Sequence, residues 1–296
     1  MTVMQPPTVV QQVAQPQQVL TDLQPIQSLS LLIHADSKVG KTTLAATAPR
    51  PILALDVEGG WKFLPLRIRE WDPMREYPPQ YDGTWDACVV TVREWQTVEM
   101  VYRWLTQYQT PFVSVILDSI SELQRRCKQN LKAPAGVTSW QAEAMKIQDW
   151  GALLDVMAGV IRGFRDLTLI RGLNVRCVVF VAESRQVNGR WTPYMQGQIS
   201  VSLPYWMDVV GYLYPAWDAD ANGQPQREVR KLWITPHPQV VAGERVQGRL
   251  GGEVVIPKPL DGQVGTDVTD MIRRVYQLPA LSAPQAQPTA QGGAPA

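Results

Sequence analysis

Apolar positions fall into two rhythms along this chain. Short, almost wholly apolar runs at 29–33, 51–55, 87–92, 112–117 and 174–182 have the pattern of strands buried on both faces. Between them the spacing lengthens to three and four. Trp95, Val98, Val101, Tyr102 and Leu105 mark a helix from about Glu94 to Tyr108. Met145, Trp150, Leu153, Leu154, Met157, Val160, Ile161 and Phe164 mark a long one over 140–169, with Arg162 and Arg165 facing away. A shorter helix opens at Lys41 and is stopped by Pro49 and Pro51. Two further strands, 208–214 and 228–235, flank an Asn222-Gly223 turn. Strands alternating with helices predict an α/β fold, a doubly wound, mostly parallel central sheet flanked by helices.

The ends break this rhythm. Residues 1–27 are rich in Gln, Pro and Val with Asp22 as their only charge, and 279–296 are Pro/Ala/Gln/Gly-rich with none. Both tails are expected to be disordered, leaving one domain over 28–278. A tail is either a solvated end or a segment that docks on a protein partner. Within the domain, 61–86 is dense in Trp, Tyr and Pro and reads as an ordered surface excursion, a lid or an interface, rather than a regular element. The formal net charge of +1 gives no global basic field, so nucleic-acid binding has to come from local patches. Cys88, Cys127 and Cys177 are widely spaced and form no CxxC, which argues against disulfides or zinc and for reduced, partly buried thiols. No apolar run approaches the ~20 residues of a membrane span, and a soluble cytoplasmic protein is expected.

The candidate chemistry begins where the first strand ends. Ala35-Asp36-Ser37-Lys38-Val39-Gly40-Lys41-Thr42-Thr43 sits between strand and helix, the setting of a phosphate-binding loop. In such a loop backbone N–H groups surround a polyphosphate, Lys41 reaches the outer phosphates and the Thr42 hydroxyl ligates magnesium. A turn that merely contains Gly-Lys-Thr is the alternative, and the strand–loop–helix order argues against it. Ala35 stands where the first glycine of such a loop is usual. The second strand runs into Asp56 and Glu58, where Glu58 either polarises a water for attack on a γ-phosphate or, with Asp56, caps the Gly59-Gly60 turn. The strand at 112–117 ends in Asp118, a carboxylate suited to magnesium opposite Thr42.

Two stretches offer cations beyond the strand ends. Residues 125–138 carry Arg125, Arg126, Lys128 and Lys132 and are expected to form a basic loop. After Glu183 come Arg185, Asn188-Gly189, Arg190, Trp191 and Tyr194, an interleaving of cations and rings. Single-stranded DNA suits it, through phosphate contacts and base stacking; a solvated loop packed by its Trp is the plain alternative.

The loop AxxxxGKTT, LDVEGG after the second strand, VILDSISEL, and TPYMQGQISVSLPYWMDVVGYLY together make 28–275 resemble the RecA-like ATPase core. The nearest likeness is to phage ATP-binding proteins of single-strand annealing and recombination. The resemblance implies magnesium-dependent ATP hydrolysis coupled to single-stranded DNA, a homo-oligomer with ATP between subunits, Glu58 as general base, and DNA facing 125–138 and 184–199. It also implies a trans-acting arginine, for which Arg245 stands in the matching region, although the lysine that precedes it in that family is missing. Glu183 replaces a glutamine that looks like a phosphate sensor, so magnesium or Arg185 has to offset its charge. A loader or assembly switch acting on protein partners, and a slow ATPase with a structural role, are the other functions this pattern allows.

Overall fold

The computed structural model describes residues 27–132, 147–219, 224–256 and 266–279. Residues 1–26 and 280–296 of the two expected disordered tails, residues 133–138 of the basic stretch, the start of the long helix and the Asn222-Gly223 turn lie outside the described residues.

Every apolar run becomes a strand of one sheet. In chain order these are β1 (Leu29–Ala35), β2 (Ile52–Asp56), β3 (Ile68–Glu70), β4 (Ala87–Thr91), β5 (Ser114–Asp118), β6 (Cys177–Val187), β7 (Arg190–Pro193), β8 (Val209–Ala219), β9 (Pro225–Trp233), β10 (Gly243–Glu244) and β11 (Glu253–Ile256). The sheet runs β11-β9-β8-β1-β6-β5-β2-β4-β3, with β10 on β8 and β7 on β6. From β8 to β3 all neighbours along this path are parallel, while β9, β10 and β11 add antiparallel strands beyond β8.

Helices α1 (Lys41–Ala45), α2 (Trp95–Gln107), α3 (Ile120–Lys132), α4 (Ile147–Asp166), α5 (Ile199–Trp206) and α6 (Val268–Tyr276) cover the sheet. Because strand side chains alternate, β1 feeds two cores. Leu32 faces the layer of α2, α3, α4 and α5, where Trp104, Phe112, Met157 and Phe164 are buried. Leu31, Ile33 and Ala35 face α1 and α6. Helix α6, not evident in the periodicity above, begins at Asp267, whose carboxylate accepts the Asp270 N–H at 2.7 Å. It buries Val268, Met271, Ile272 and Val275.

Four expectations are corrected. Arg125, Arg126, Lys128 and Lys132 lie on α3, not in a loop, because Ile120, Leu123 and Cys127 keep a helical stripe against the core beneath the cations. Residues 184–193 form a β6–β7 hairpin turned by Asn188 and Gly189 at φ 50° and 76°, and α5 follows at Ile199. The 61–86 stretch contains a 3-10 turn at Trp61–Phe63 and the edge strand β3, and its Trp61, Trp71 and Trp85 are buried. Asp86 anchors it to the sheet, pairing with Arg50 at 2.7 Å and Arg67 at 2.8 Å. The cysteines are free, and all three are fully rather than partly buried; burial pushes each thiol up to about 12.

Candidate functional site

The parallel strands end together, and the pairing register sets which side chains meet. Asp56 pairs with Asp118, Asp118 with Val181, and Ala35 with Glu183. The carboxyl edge of β1, β6, β5 and β2 is therefore one shelf, with the 36–40 loop rising from its middle.

Ala35 is the last residue of β1, in extended backbone that any residue adopts, so the missing first glycine costs nothing there. Positive φ falls instead at Lys38 (60°) and Gly40 (104°), and Gly40 caps α1. From Lys41 the ammonium turns back over the loop, donating to the Asp36 carbonyl at 2.8 Å and the Ala35 carbonyl at 3.3 Å. Burial draws its pKa below the ordinary lysine value, opposed by the charges of Glu58, Asp118, Glu183 and Asp36. Carboxylates at or near the carboxyl edges of four strands, β1, β2, β5 and β6, thus act on one lysine.

Asp118 is buried, which raises its carboxyl to about 6, while the nearby Thr42 hydroxyl favours the charged form. The Trp61 indole N–H also donates to it, at 3.2 Å. A hydroxyl and a carboxylate close together beside a phosphate loop are the hard oxygen donors magnesium takes, so these residues fit that ion.

The two acids after β2 divide the roles left open by the sequence. Asp56 caps the turn, accepting the N–H groups of Gly59, Gly60 and Trp61 at 2.7, 3.2 and 3.1 Å. Glu58 is exposed instead, and its carboxylate accepts a short hydrogen bond from the Ser119 hydroxyl. Glu183 is offset by Arg125 rather than Arg185: the guanidinium meets both carboxylate oxygens at 2.7 and 2.8 Å, and also binds Glu122 at 2.8 Å.

The predicted DNA residues separate into engaged and available groups. Arg126 faces Glu122 at 3.6 Å, Lys128 lies 4.7 Å from the Trp150 ring, and Arg190 donates twice to the Val240 carbonyl at 3.2 Å. Trp191 stacks on Tyr212, and Arg185 sits 4.7 Å from the Tyr194 ring with an exposed head. Arg245 is elsewhere. Its N–H bonds the Asp208 carbonyl at the amino end of β8, roughly 20 Å of strand from the loop of its own chain, and its guanidinium bonds the Tyr205 carbonyl. Ser119 and Trp61 were not singled out by sequence; each directly adjoins a motif residue or its glycine turn, and that adjacency is the signal for them.

A lysine loop between strand and helix, a hydroxyl–carboxylate pair beside it and an acid presented from the neighbouring strand define a P-loop nucleoside triphosphatase. Residues 27–246 match the family described as an AAA domain, and the chain belongs to that family. Membership brings nucleotide binding and, as a class, ATP hydrolysis. No curated protein matches the chain. Among the described residues no helix is long and apolar enough to cross a membrane.

Proposed function

We propose that this protein is a magnesium-dependent ATPase of the RecA-like recombination type, in which nucleotide state governs the grip on single-stranded DNA. The observation that carries the reading is the Arg125–Glu183 pair. Glu183 lies beside Ala35 in register and within the field of Lys41, while its strand continues without a break into the hairpin that bears Arg185, Arg190 and Trp191. Arg125 ties that strand to α3, the helix that carries the other cations.

In this reading the loop of 35–43 and Lys41 hold the triphosphate. Thr42 and Asp118 hold magnesium, which when bound neutralises phosphate charge. Glu58, fixed by Ser119, takes a proton from the water that attacks the γ-phosphorus as the bond to ADP breaks. Arg245, exposed at the opposite edge of the sheet, serves a neighbouring subunit's site in a homo-oligomer.

Magnesium-dependent ATP hydrolysis by the purified protein, with and without single-stranded DNA, tests the proposal. DNA stimulation that disappears in Lys41→Ala is the expected result; hydrolysis indifferent to DNA would refute the coupling. A protein-directed switch is the second reading, supported by Val201 and Tyr205, which stand 66% and 73% exposed on α5.

A further inference from the structure

Strand β9 carries three cations, and two are neutralised in place. Arg227 meets Asp218 at 3.3 Å and Lys231 meets Glu253 at 2.9 Å. The side chain of Arg230, between them, makes no ion pair and no hydrogen bond among the described residues, and the residue is half-buried.

The register explains where its head lies. Tyr212 of β8 pairs with His34 of β1, so Pro215 stands about 10 Å further on, past the last residue of β1 and level with the loop. Arg230 is opposite Pro215. It shares a face of β9 with Leu232, which is buried in the cluster that includes Leu44 and Ala45 of α1. Arg230 therefore extends over the same side of the sheet as α1, and its guanidinium lies on Gly40. A methyl group at Gly40 would fall 2.1 Å from Nη1, 2.8 Å from Cζ and 3.3 Å from Nε.

The direction of approach identifies what such a cation would meet. Glu183, Asp118 and the strand that leads to Glu58 all lie on the β6 side of β1, so the phosphate that reacts is on that side. A nucleotide threaded through the loop then has its nucleoside end toward β8 and β9. Arg230 comes from that side. Resting on the nucleotide-site reading above, we infer that Arg230 is a nucleotide-binding residue of the same chain that engages the α- and β-phosphates of a nucleoside di- or triphosphate. It is a determinant of affinity common to ATP and ADP, distinct from a trans-acting arginine that senses the reacting phosphate. An arginine that no acid pairs among the described residues is held ready for an anion, and its planar fork matches two phosphate oxygens.

Titrations of ATP and ADP against wild type, Arg230→Ala and Arg230→Lys test this, with thermal unfolding of each protein in the absence of nucleotide as the folding control. Arg230→Ala is expected to weaken ATP and ADP by the same factor, roughly 10- to 100-fold, the size of a hydrogen bond to a charged group. Arg230→Lys should recover part of that loss. Unchanged affinities in Arg230→Ala, or a loss confined to ATP, would overturn the inference while leaving the nucleotide site standing. Equal affinities of wild type and Lys41→Ala for both nucleotides would overturn the site itself and this inference with it.

Discussion

His34 gives the fold a pH dependence that can be worked out from its surroundings. It is 0% exposed, on the face of β1 opposite α1, with Nδ1 2.7 Å from the Ser184 hydroxyl and Nε2 2.6 Å from the Val241 carbonyl. A carbonyl only accepts, so Nε2 carries the proton and Nδ1 accepts from Ser184 in the neutral ring. Tyr212 packs on the ring at 5.2 Å, and the charge nearby is the Lys41 ammonium, the wrong sign for an imidazolium. Burial pushes the ring down to about 4 from an ordinary 6.5. Between those values the unfolded chain binds a proton that the folded chain refuses. This contribution is therefore complete above 6.5 and lost as pH falls toward 4, about 3 kcal/mol in all. Asp118 acts in the opposite sense: its folded carboxyl is raised to about 6, so its protonation favours the fold as pH falls through the same range. Comparing wild type with His34→Gln cancels that effect. Urea unfolding of both from pH 4 to 7 should show wild type losing about 3 kcal/mol more than the variant on acidification. Parallel curves would refute the assignment of a neutral, buried ring.

Three other outcomes follow from the site. Glu58→Gln should keep ATP binding but cut turnover by ~10²–10⁴-fold, measured by phosphate release; unchanged turnover removes Glu58 from the chemistry. Trp61→Phe strips one donor from the buried Asp118 and should lower unfolding free energy by ~1–3 kcal/mol in urea, with an unaltered midpoint counting against that hydrogen bond. Removing the cations of Arg185 and Lys132 together should reduce the log–log salt slope of single-stranded DNA binding by about 2, and an unchanged slope would take both off the DNA path.

The central strands and the phosphate loop were legible because fully buried parallel strands write themselves as apolar runs, and because Gly40, Lys41 and Thr42 occupy consecutive positions. Asp118 was legible for the same reason, as the first charge after such a run. Helix 120–132 was masked: its stripe of Ile120, Leu123 and Cys127 is thin, and four cations crowd the same stretch. The partner of Glu183 was out of reach, since Arg125 lies 58 residues away in sequence and reaches it only because α3 packs beside β6. Arg230 carries no local signal at all. Its nearness to Gly40 arises from antiparallel pairing two strands away from β1, which no spacing along the chain encodes.

Strand β1 lies at the heart of the sheet yet near the beginning of the chain, and what fastens it comes late. Ser28 exchanges hydrogen bonds with the Tyr276 hydroxyl across 248 residues, Ser30 binds the Asp208 carboxylate across 178, and His34 is held by Val241 across 207. During synthesis the loop-bearing strand is made first and then waits on the order of 10–50 s, at ordinary translation rates, for the residues that enclose it. Such distant closures slow folding and leave an apolar strand uncovered meanwhile. On the reading proposed above, nucleotide cannot help the chain before β6 is made, because the shelf of β1, β6, β5 and β2 does not exist until then; what it rewards is the state in which those strands are joined.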